Sequence, residues 1–435
     1  MIFANLRGQR RVPYLPEEEL QALRDAGLRE IVRYAAKTVP YYYSLFKDMG
    51  IDPREIKTVE DLDHLPLLDK ETVRKNPDLF VSTSWKGRNS IPFITSGTTG
   101  MPFKVYHDPN SLLANIAFGE REREVTTNMY GTNFWYKELS IGYPGNTSSK
   151  VRDFYRKMTF IPVRPERLVL PMVEPFERIV EAVNRFRPDV IASYGSYLET
   201  FFRILDSRGI EMHPSRVLIY GADSMTREGR SLIEKKFGIP VLSIYSAVEA
   251  FKLGFFCEER KGFHLHEDLC HVKIVDANGQ RVANGNKGEV VISNLVNRGT
   301  VLLNYRLGDI ASISSQKCTC GRTLPLLTEL EGRVEDIIAL PNGELLHPRA
   351  VWKVFKGKDE IVQYQLLQHE PGRFELRLVT INRETYQSII DGILADLRQL
   401  LGDSTFIESK YYEALERQKG KFRRVISLCR QGVSA

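Results

Sequence analysis

The stretch with the densest chemical potential is Ile94-Thr95-Ser96-Gly97-Thr98-Thr99-Gly100-Met101-Pro102. Its glycines let backbone N–H groups crowd against an anion, and the hydroxyls of Thr95, Ser96, Thr98 and Thr99 add donors, so the loop can wrap phosphates without a dedicated charge. It is not a Walker-type loop, because no Gly-Lys-Ser/Thr closes it and no helix opens from it; Lys104-Val105-Tyr106 continues as an extended segment. A plain surface turn is the competing reading of so short a cluster. Further along lie Gly221-Ala222-Asp223, then Tyr245-Ser246-Ala247-Val248-Glu249, then Asn304-Tyr305-Arg306-Leu307-Gly308-Asp309. Carboxylates there could accept hydroxyl donors or hold a hard cation. Cys318-Thr319-Cys320 brings two thiols together, with Cys257 and His264 upstream, four ligands of the kind tetrahedral zinc takes. Free buried thiols are the alternative, and His266 and Cys270 are nearby substitutes in the ligand set. The chain closes on Lys419-Gly420-Lys421, either a basic tail or a mobile ammonium.

These residues need elements to hold them. Between Pro175 and Ile244 helical patterns (Phe176, Ile179, Val180, Val183; Leu198 to Leu205; Thr226 to Phe237) alternate with continuous apolar runs at Val190-Ile191-Ala192, Val217-Leu218-Ile219-Tyr220 and Val241-Leu242-Ser243-Ile244. That alternation predicts a mostly parallel sheet covered on both faces, with ligands outside the carboxyl ends of its strands. Gly221 and Tyr245 follow two such ends. Amphipathic helices are predicted over Pro16 to Lys37 and Leu112 to Thr126. From Cys270 to Leu295 the period changes to two around an Asn278-Gly279 turn signal, which predicts an appended hairpin-rich region. After Pro348 a helix, the strands Val362 to Leu367 and Phe374 to Val379, and a helix carrying Ile389, Ile393 and Leu397 form a credible small domain. The fold class is therefore α/β: a large multi-layer N-terminal domain of mostly parallel sheets plus a β subdomain, and a small mobile α+β C-terminal domain.

Composition bounds the partners. A chain of 435 residues with 42% hydrophobic and 27% charged residues is that of a folded protein with two or three domains. Its 61 basic residues nearly balance 55 acidic ones, and a net charge of +6 is too mild to argue for nucleic acid. No apolar run approaches the roughly 18 residues of a spanning helix, and no signal-peptide core opens the chain, so the expectation is a cytoplasmic protein. Five cysteines do not make a disulfide framework.

Thr95 to Pro102 resembles the signature Ser/Thr-Ser-Gly-Thr-Thr-Gly-x-Pro of the adenylate-forming enzymes, the superfamily of acyl- and aryl-CoA ligases, and the later motifs follow in that family's order. The resemblance implies AMP-forming activation of a carboxylic acid, aryl or arylacetic, by ATP and Mg²⁺, followed by transfer to CoA. An amine, a hydroxyl or a carrier thiol as acceptor is the alternative, and a non-catalytic nucleotide-binding relative is a second one. It further implies that Thr95, Ser96, Gly97, Thr98, Thr99 and Gly100 hold phosphates, Gly221, Ala222 and Asp223 border the adenine, and Tyr245 and Ser246 line the nucleotide. Glu249 would hold Mg²⁺, Asp309 the ribose hydroxyls, and Arg333 the ribose or a phosphate. Lys421 would bridge the substrate carboxylate and the α-phosphate, with Lys419 as fallback. Phe134, Tyr143 and Tyr197 are acid-pocket residues on the same footing. Ser246, Val248 and Leu345 depart from the family pattern.

Cys257, His264, Cys318, Cys320 and the following Gly-Arg-Thr resemble the phenylacetate–CoA ligase branch, with its capsule-cluster and deazaflavin-adenylating relatives, where the zinc is structural. The implied division is 1–332 for the large domain, with its zinc-bearing β subdomain over about 251–330, then a hinge at 333–336 pivoting on Glu335, and 337–435 for the small domain. A homodimer is compatible with this reading.

Overall fold

The long Glu17–Thr38 helix shows how the sequence builds its elements: Leu20, Leu28, Ile31, Val32 and Ala35 recur on one buried face, and Glu17, Glu18 and Glu19 sit in the first turn, where the helix dipole favours them. The computed structural model describes residues 8–85, 90–95, 103–131, 136–143, 145–158, 166–333, 337–346, 348–358, 360–417 and 421–429. Among them the chain forms two compact units, one of residues 1–135, 144–165 and 242–330, the other of 136–143, 166–241 and 331–435.

In the first unit the strands Val241–Ala247, Phe251–Phe256, Phe263–Leu265, Leu326–Arg333, Tyr305–Ile313, Gly288–Asn294 and Cys270–Val275 are hydrogen-bonded neighbours in that order. The pair Cys270–Val275 and Gly288–Asn294 is the antiparallel hairpin that the Asn278-Gly279 signal predicts. Its core joins Leu28, Ile31 and Val32 of the first long helix to Val272, Ile274, Val290, Ile292 and Leu303. A separate two-stranded hairpin pairs Ile91–Ile94 with Lys104–His107, the segments that flank the glycine-rich motif in sequence.

In the second unit the strands Glu166–Pro171, Lys137–Gly142, Val190–Tyr194 and Val217–Gly221 are parallel neighbours. The helices Phe176–Phe186, Gly195–Arg208 and Arg227–Lys236 pack a core of Ile179, Leu198, Phe202, Leu218 and Ile233 against them. The parallel α/β expectation holds here, with two strands that the apolar runs did not reveal. The C-terminal segment builds its own four-stranded sheet, ordered Phe406–Tyr411, Arg373–Thr380, Ile361–Glu370, Val425–Ser427. It has a separate core of Phe355, Tyr364, Leu366, Leu376, Ile393 and Leu397 under the Arg383–Leu401 helix. Among the described residues no helix is long and apolar enough to cross a membrane.

Candidate active site and metal centre

Two motifs that lie sixty residues apart in sequence are tied by two tyrosine–carboxylate hydrogen bonds. The Tyr245 hydroxyl donates to Asp309 Oδ2 at 2.8 Å, and the Tyr305 hydroxyl donates to Glu249 Oε1 at 3.2 Å. Each motif thus supplies one tyrosine and one carboxylate to the other. Local backbone sets this up. The pairing of Val241–Ala247 with Phe251–Phe256 shifts register between Tyr245 and Ser246, a bulge that re-aims the strand end, and the Ala250 N–H closes a tight turn on the Ala247 carbonyl. Glu249 sits in that turn, buried, its own carbonyl held by Asn294 Nδ2 at 3.2 Å. Beside it, the His107 Nε2–H donates to the Val248 carbonyl at 2.8 Å. His107 lies at 4.1 Å from the Phe251 ring, and burial drives its pKa down to about 4, so it is a neutral donor. In the other motif Gly308 has φ +81° inside a strand, a conformation that a side chain would strain, and it presents Asp309 half-buried toward Tyr245.

Thr95 closes the base of the glycine loop. Its N–H donates to the Phe103 carbonyl at 3.1 Å and its Oγ1 accepts the Phe103 N–H at 3.2 Å, so its hydroxyl serves the hairpin. Ser96, Gly97, Thr98, Thr99 and Gly100 lie outside the described residues, as do Phe134 and Glu335. Arg333 ends the Leu326–Arg333 strand, and its side chain is likewise outside them. Ser246 is exposed opposite Lys252.

In the second unit, Gly221 ends its strand, Ala222 adopts φ +68°, unusual for a residue with a Cβ, and the Asp223 N–H turns back to the Gly221 carbonyl at 2.8 Å. The Asp223 carboxylate is fully engaged. It accepts the Ser196 N–H at 3.0 Å, the Ser196 hydroxyl, and the Phe422 N–H at 3.2 Å. Burial still leaves its carboxyl above the usual range. Tyr197 is pushed up to about 12 by burial, with Arg417 5.6 Å from its ring pulling the other way, while Tyr143 is 40% exposed. Lys421 is half-buried beside Phe422. Sequence reasoning did not single out His107, Ser196, Glu199, Arg417 or Arg424, and made no use of Tyr305 beyond its motif.

The metal expectation meets a definite geometry. Ligand atoms of Cys257, His264, Cys318 and Cys320 all lie within 4.8 Å of one another. Cys257 and Cys318 Sγ are 3.7 Å apart, and Cys320 Sγ is 3.3 Å from His264 Nε2. A tetrahedron with Zn–S of about 2.3 Å has S···S edges of roughly 3.8 Å, so the set fits a zinc-sized ion. His264 Nδ1 donates to the Leu324 carbonyl at 3.3 Å, which fixes the tautomer that leaves Nε2 free to ligate. Burial raises the Cys320 thiol, yet its contact with His264 and the hydrogen bond from the Arg322 backbone bring it down to about 6. Arg322 grips Glu258, next to Cys257, through two bonds of 2.6 and 3.1 Å, and the Thr323 N–H donates to the Pro13 carbonyl at 2.7 Å. His266 and Cys270 are not part of the group: His266 faces Glu122 at 3.6 Å, and the Cys270 thiol turns to the His271 carbonyl.

With this geometry in place, comparison with known proteins is informative. No family model matches the chain. The phenylacetate-coenzyme A ligase of Thermus thermophilus is 28% identical over 400 residues, which cover 88% of this chain and 86% of that ligase. Protein CapK of Staphylococcus aureus is 21% identical over 420 residues, 93% of this chain and 88% of CapK. Among solved structures, 2-hydroxyisobutyryl-CoA ligase in the postadenylation state with R3-HIB-AMP superposes with a TM-score of 0.74 at 17% identity, over 96% of this chain and 91% of that one. The fold and the ordered motifs define an enzyme of the adenylate-forming ligase class. Within it the chain is similar to the phenylacetate–CoA ligases and to CapK, the branch that its cysteine and histidine spacing resembles.

Proposed function

We propose that this enzyme activates an aryl or arylacetic acid with ATP, forming an acyl-adenylate and pyrophosphate, and then passes the acyl group to the thiol of CoA with release of AMP. The observation that carries the reading is the reciprocal tyrosine–carboxylate pairing, Tyr245 with Asp309 and Tyr305 with Glu249, which joins two motifs into one polar surface. Asp309 is the carboxylate to accept the ribose hydroxyls, and its bond to Tyr245 fixes the orientation of both groups. Glu249, with one oxygen held by Tyr305, is the carboxylate to hold Mg²⁺, which supplies charge neutralisation at the phosphates when bound. The loop from Ser96 to Gly100 offers backbone and hydroxyl donors to the phosphates. Lys421 places an ammonium against the charge that develops as the carboxylate attacks phosphorus and pyrophosphate departs. The anhydride is labile in water, so the site must exclude solvent while it exists.

The separate sheet and core of the C-terminal segment support a small domain over 337–435 that turns about 333–336 between the half-reactions. The four-ligand geometry supports a structural zinc on Cys257, His264, Cys318 and Cys320, closed to water and hence without a Lewis-acid role.

The direct test supplies ATP, Mg²⁺, CoA and a panel of aryl, arylacetic and alkyl acids, and assays AMP and thioester separately. Acid- and CoA-dependent formation of both is expected. AMP formed without dependence on CoA would move the acceptor to an amine, a hydroxyl or a carrier thiol, and no AMP with any acid would overturn the reading.

A further inference from the structure

Arg424 belongs to the C-terminal sheet by its backbone and to the central α/β layers by its side chain. The Arg424 carbonyl accepts the Leu366 N–H at 2.8 Å, while its guanidinium reaches Glu199 Oε2 at 2.7 Å. Both side chains are at least nine-tenths buried. Glu199 is already shaped for such a partner: its oxygens take the Thr226 N–H at 2.9 Å and the Thr226 hydroxyl at 2.6 Å, which fixes the carboxylate toward the arginine. A Cβ at Gly229 would stand 2.4 Å from Glu199 Cδ, so only glycine lets the neighbouring helix close over this side chain. Seven residues upstream of Arg424, Arg417 donates to the Ser196 hydroxyl at 2.5 Å and faces Asp223 Oδ2 at 3.9 Å. The same Asp223 oxygen accepts the Phe422 N–H at 3.2 Å. That N–H belongs to the peptide bond joining Phe422 to Lys421, so Asp223 grips the backbone that carries the proposed catalytic lysine.

We propose that Asp223 and Glu199 form a two-point receptor that seats Arg417 and residues 421–424 and so sets the position of the Lys421 ammonium for adenylation, with Arg417 and Arg424 as positioning residues. This rests on the reading of Lys421 given above. It gives Asp223 a task different from bordering the adenine. Each buried pair is costly to break by deletion, because the partner loses its nearest opposite charge, Glu199 keeping only Arg203 at 3.5 Å. Withdrawal of the whole segment is different: both arginines and both carboxylates return to water together, and rehydration offsets the lost attraction. The seat therefore has two accessible states, held or released, and wobbles little while held. Loss of one anchor displaces Lys421 without touching nucleotide contacts.

The test compares Asp223→Asn, Arg424→Gln, Arg417→Gln and the conservative Arg424→Lys in the full-length enzyme, with a thermal melt to exclude any variant that fails to fold. Backbone hydrogen exchange of amides 421–427, measured without substrates, should quicken in the first three and recover in part in Arg424→Lys. In acid-dependent ATP–pyrophosphate exchange the first three should lose roughly ten- to hundredfold in kcat, the cost of a misplaced group, with KM for ATP within about twofold. CoA thioester formation from supplied acyl-adenylate should survive. Unchanged hydrogen exchange would overturn the receptor. A raised KM for ATP with intact kcat in Asp223→Asn would return that residue to the nucleotide, and equal losses in both half-reactions would reduce the pairs to stabilising contacts. Should the parent enzyme show no acid-dependent exchange, the adenylating reading fails, while the amide protection still decides whether the seat exists.

Discussion

Tyr245 and Tyr305 illustrate what single residues contribute: a phenol that donates to a carboxylate fixes its orientation. Tyr305→Phe removes the donor to Glu249, and a bond of this kind is worth about 1 kcal/mol of stability. The larger expected effect is on function. The Mg²⁺ concentration for half-maximal activity should rise several-fold, and an unchanged Mg²⁺ dependence would separate Tyr305 from the site. His107 permits a test by pH. Its folded pKa, about 4, lies below the ordinary 6.5 because burial against Phe93 and Phe251 disfavours the charged ring by more than the bond to the Val248 carbonyl favours it. The unfolded chain therefore takes up the proton first, and the stability present above pH 6.5 is lost as pH falls toward 4, by about 3 kcal/mol over the whole window. His107→Gln keeps a donor for Val248 and cannot titrate. Denaturant unfolding at pH 7 and pH 4.5 should show the parent losing ground to this variant, and a constant difference would refute the assignment. Motif residues such as Asp309 and Glu249 were legible because their types sit in short, ordered strings. His107 and Asn294, which hold the Val248 and Glu249 carbonyls, were not, since only folding brings those two beside the turn at Glu249.

Elements were legible where burial is two-sided. Val190–Tyr194, Val217–Gly221 and Val241–Ala247 read as apolar runs because both faces are covered. Glu166–Pro171 and Phe406–Tyr411 lie at sheet edges and carry charges that an edge tolerates, which is why periodicity passed over them. The Lys137–Gly142 strand was hidden by its own Lys and Glu. The helix Pro109–Tyr130 began three residues before the expected Leu112, at a cap the reading missed. Asp108 Oδ1 accepts the Asn110 and Ser111 N–H groups at 3.0 and 3.1 Å, and Oδ2 accepts the Arg298 N–H at 2.8 Å. Asp108→Ala should cost about 1–2 kcal/mol in urea unfolding, and Asp108→Asn much less. Equal midpoints for Ala and parent would show that the cap does not carry the helix. Thr95 bonds across to Phe103 beyond the last paired rung of the Ile91–Ile94 and Lys104–His107 hairpin, and so braces that hairpin's end.

For the whole molecule, the cysteine and histidine group joins strands Phe251–Phe256 and Phe263–Leu265 to the segment around Cys318 and Cys320, and through Thr323 to the N-terminal turn at Pro13. Purified protein should carry about one zinc per chain by elemental analysis. Chelation or Cys320→Ser should lower Tm, and protein free of zinc with unchanged Tm would leave these residues as ordinary thiols. The contacts of Arg417 and Arg424 belong to this scale as well: the sequence offered a basic tail or a mobile ammonium, and nothing in its local pattern announces Asp223 or Glu199, roughly two hundred residues away, as their partners. The central claim is that ATP is split at its α-phosphate by a carboxylate before any acceptor enters. Exchange of labelled pyrophosphate into ATP, followed with CoA absent and acids added one at a time, measures this step alone. The account predicts exchange that requires both an aryl or arylacetic acid and Mg²⁺, and that falls strongly in Lys421→Ala while ATP still binds. Binding of ATP with no exchange for any acid would contradict it.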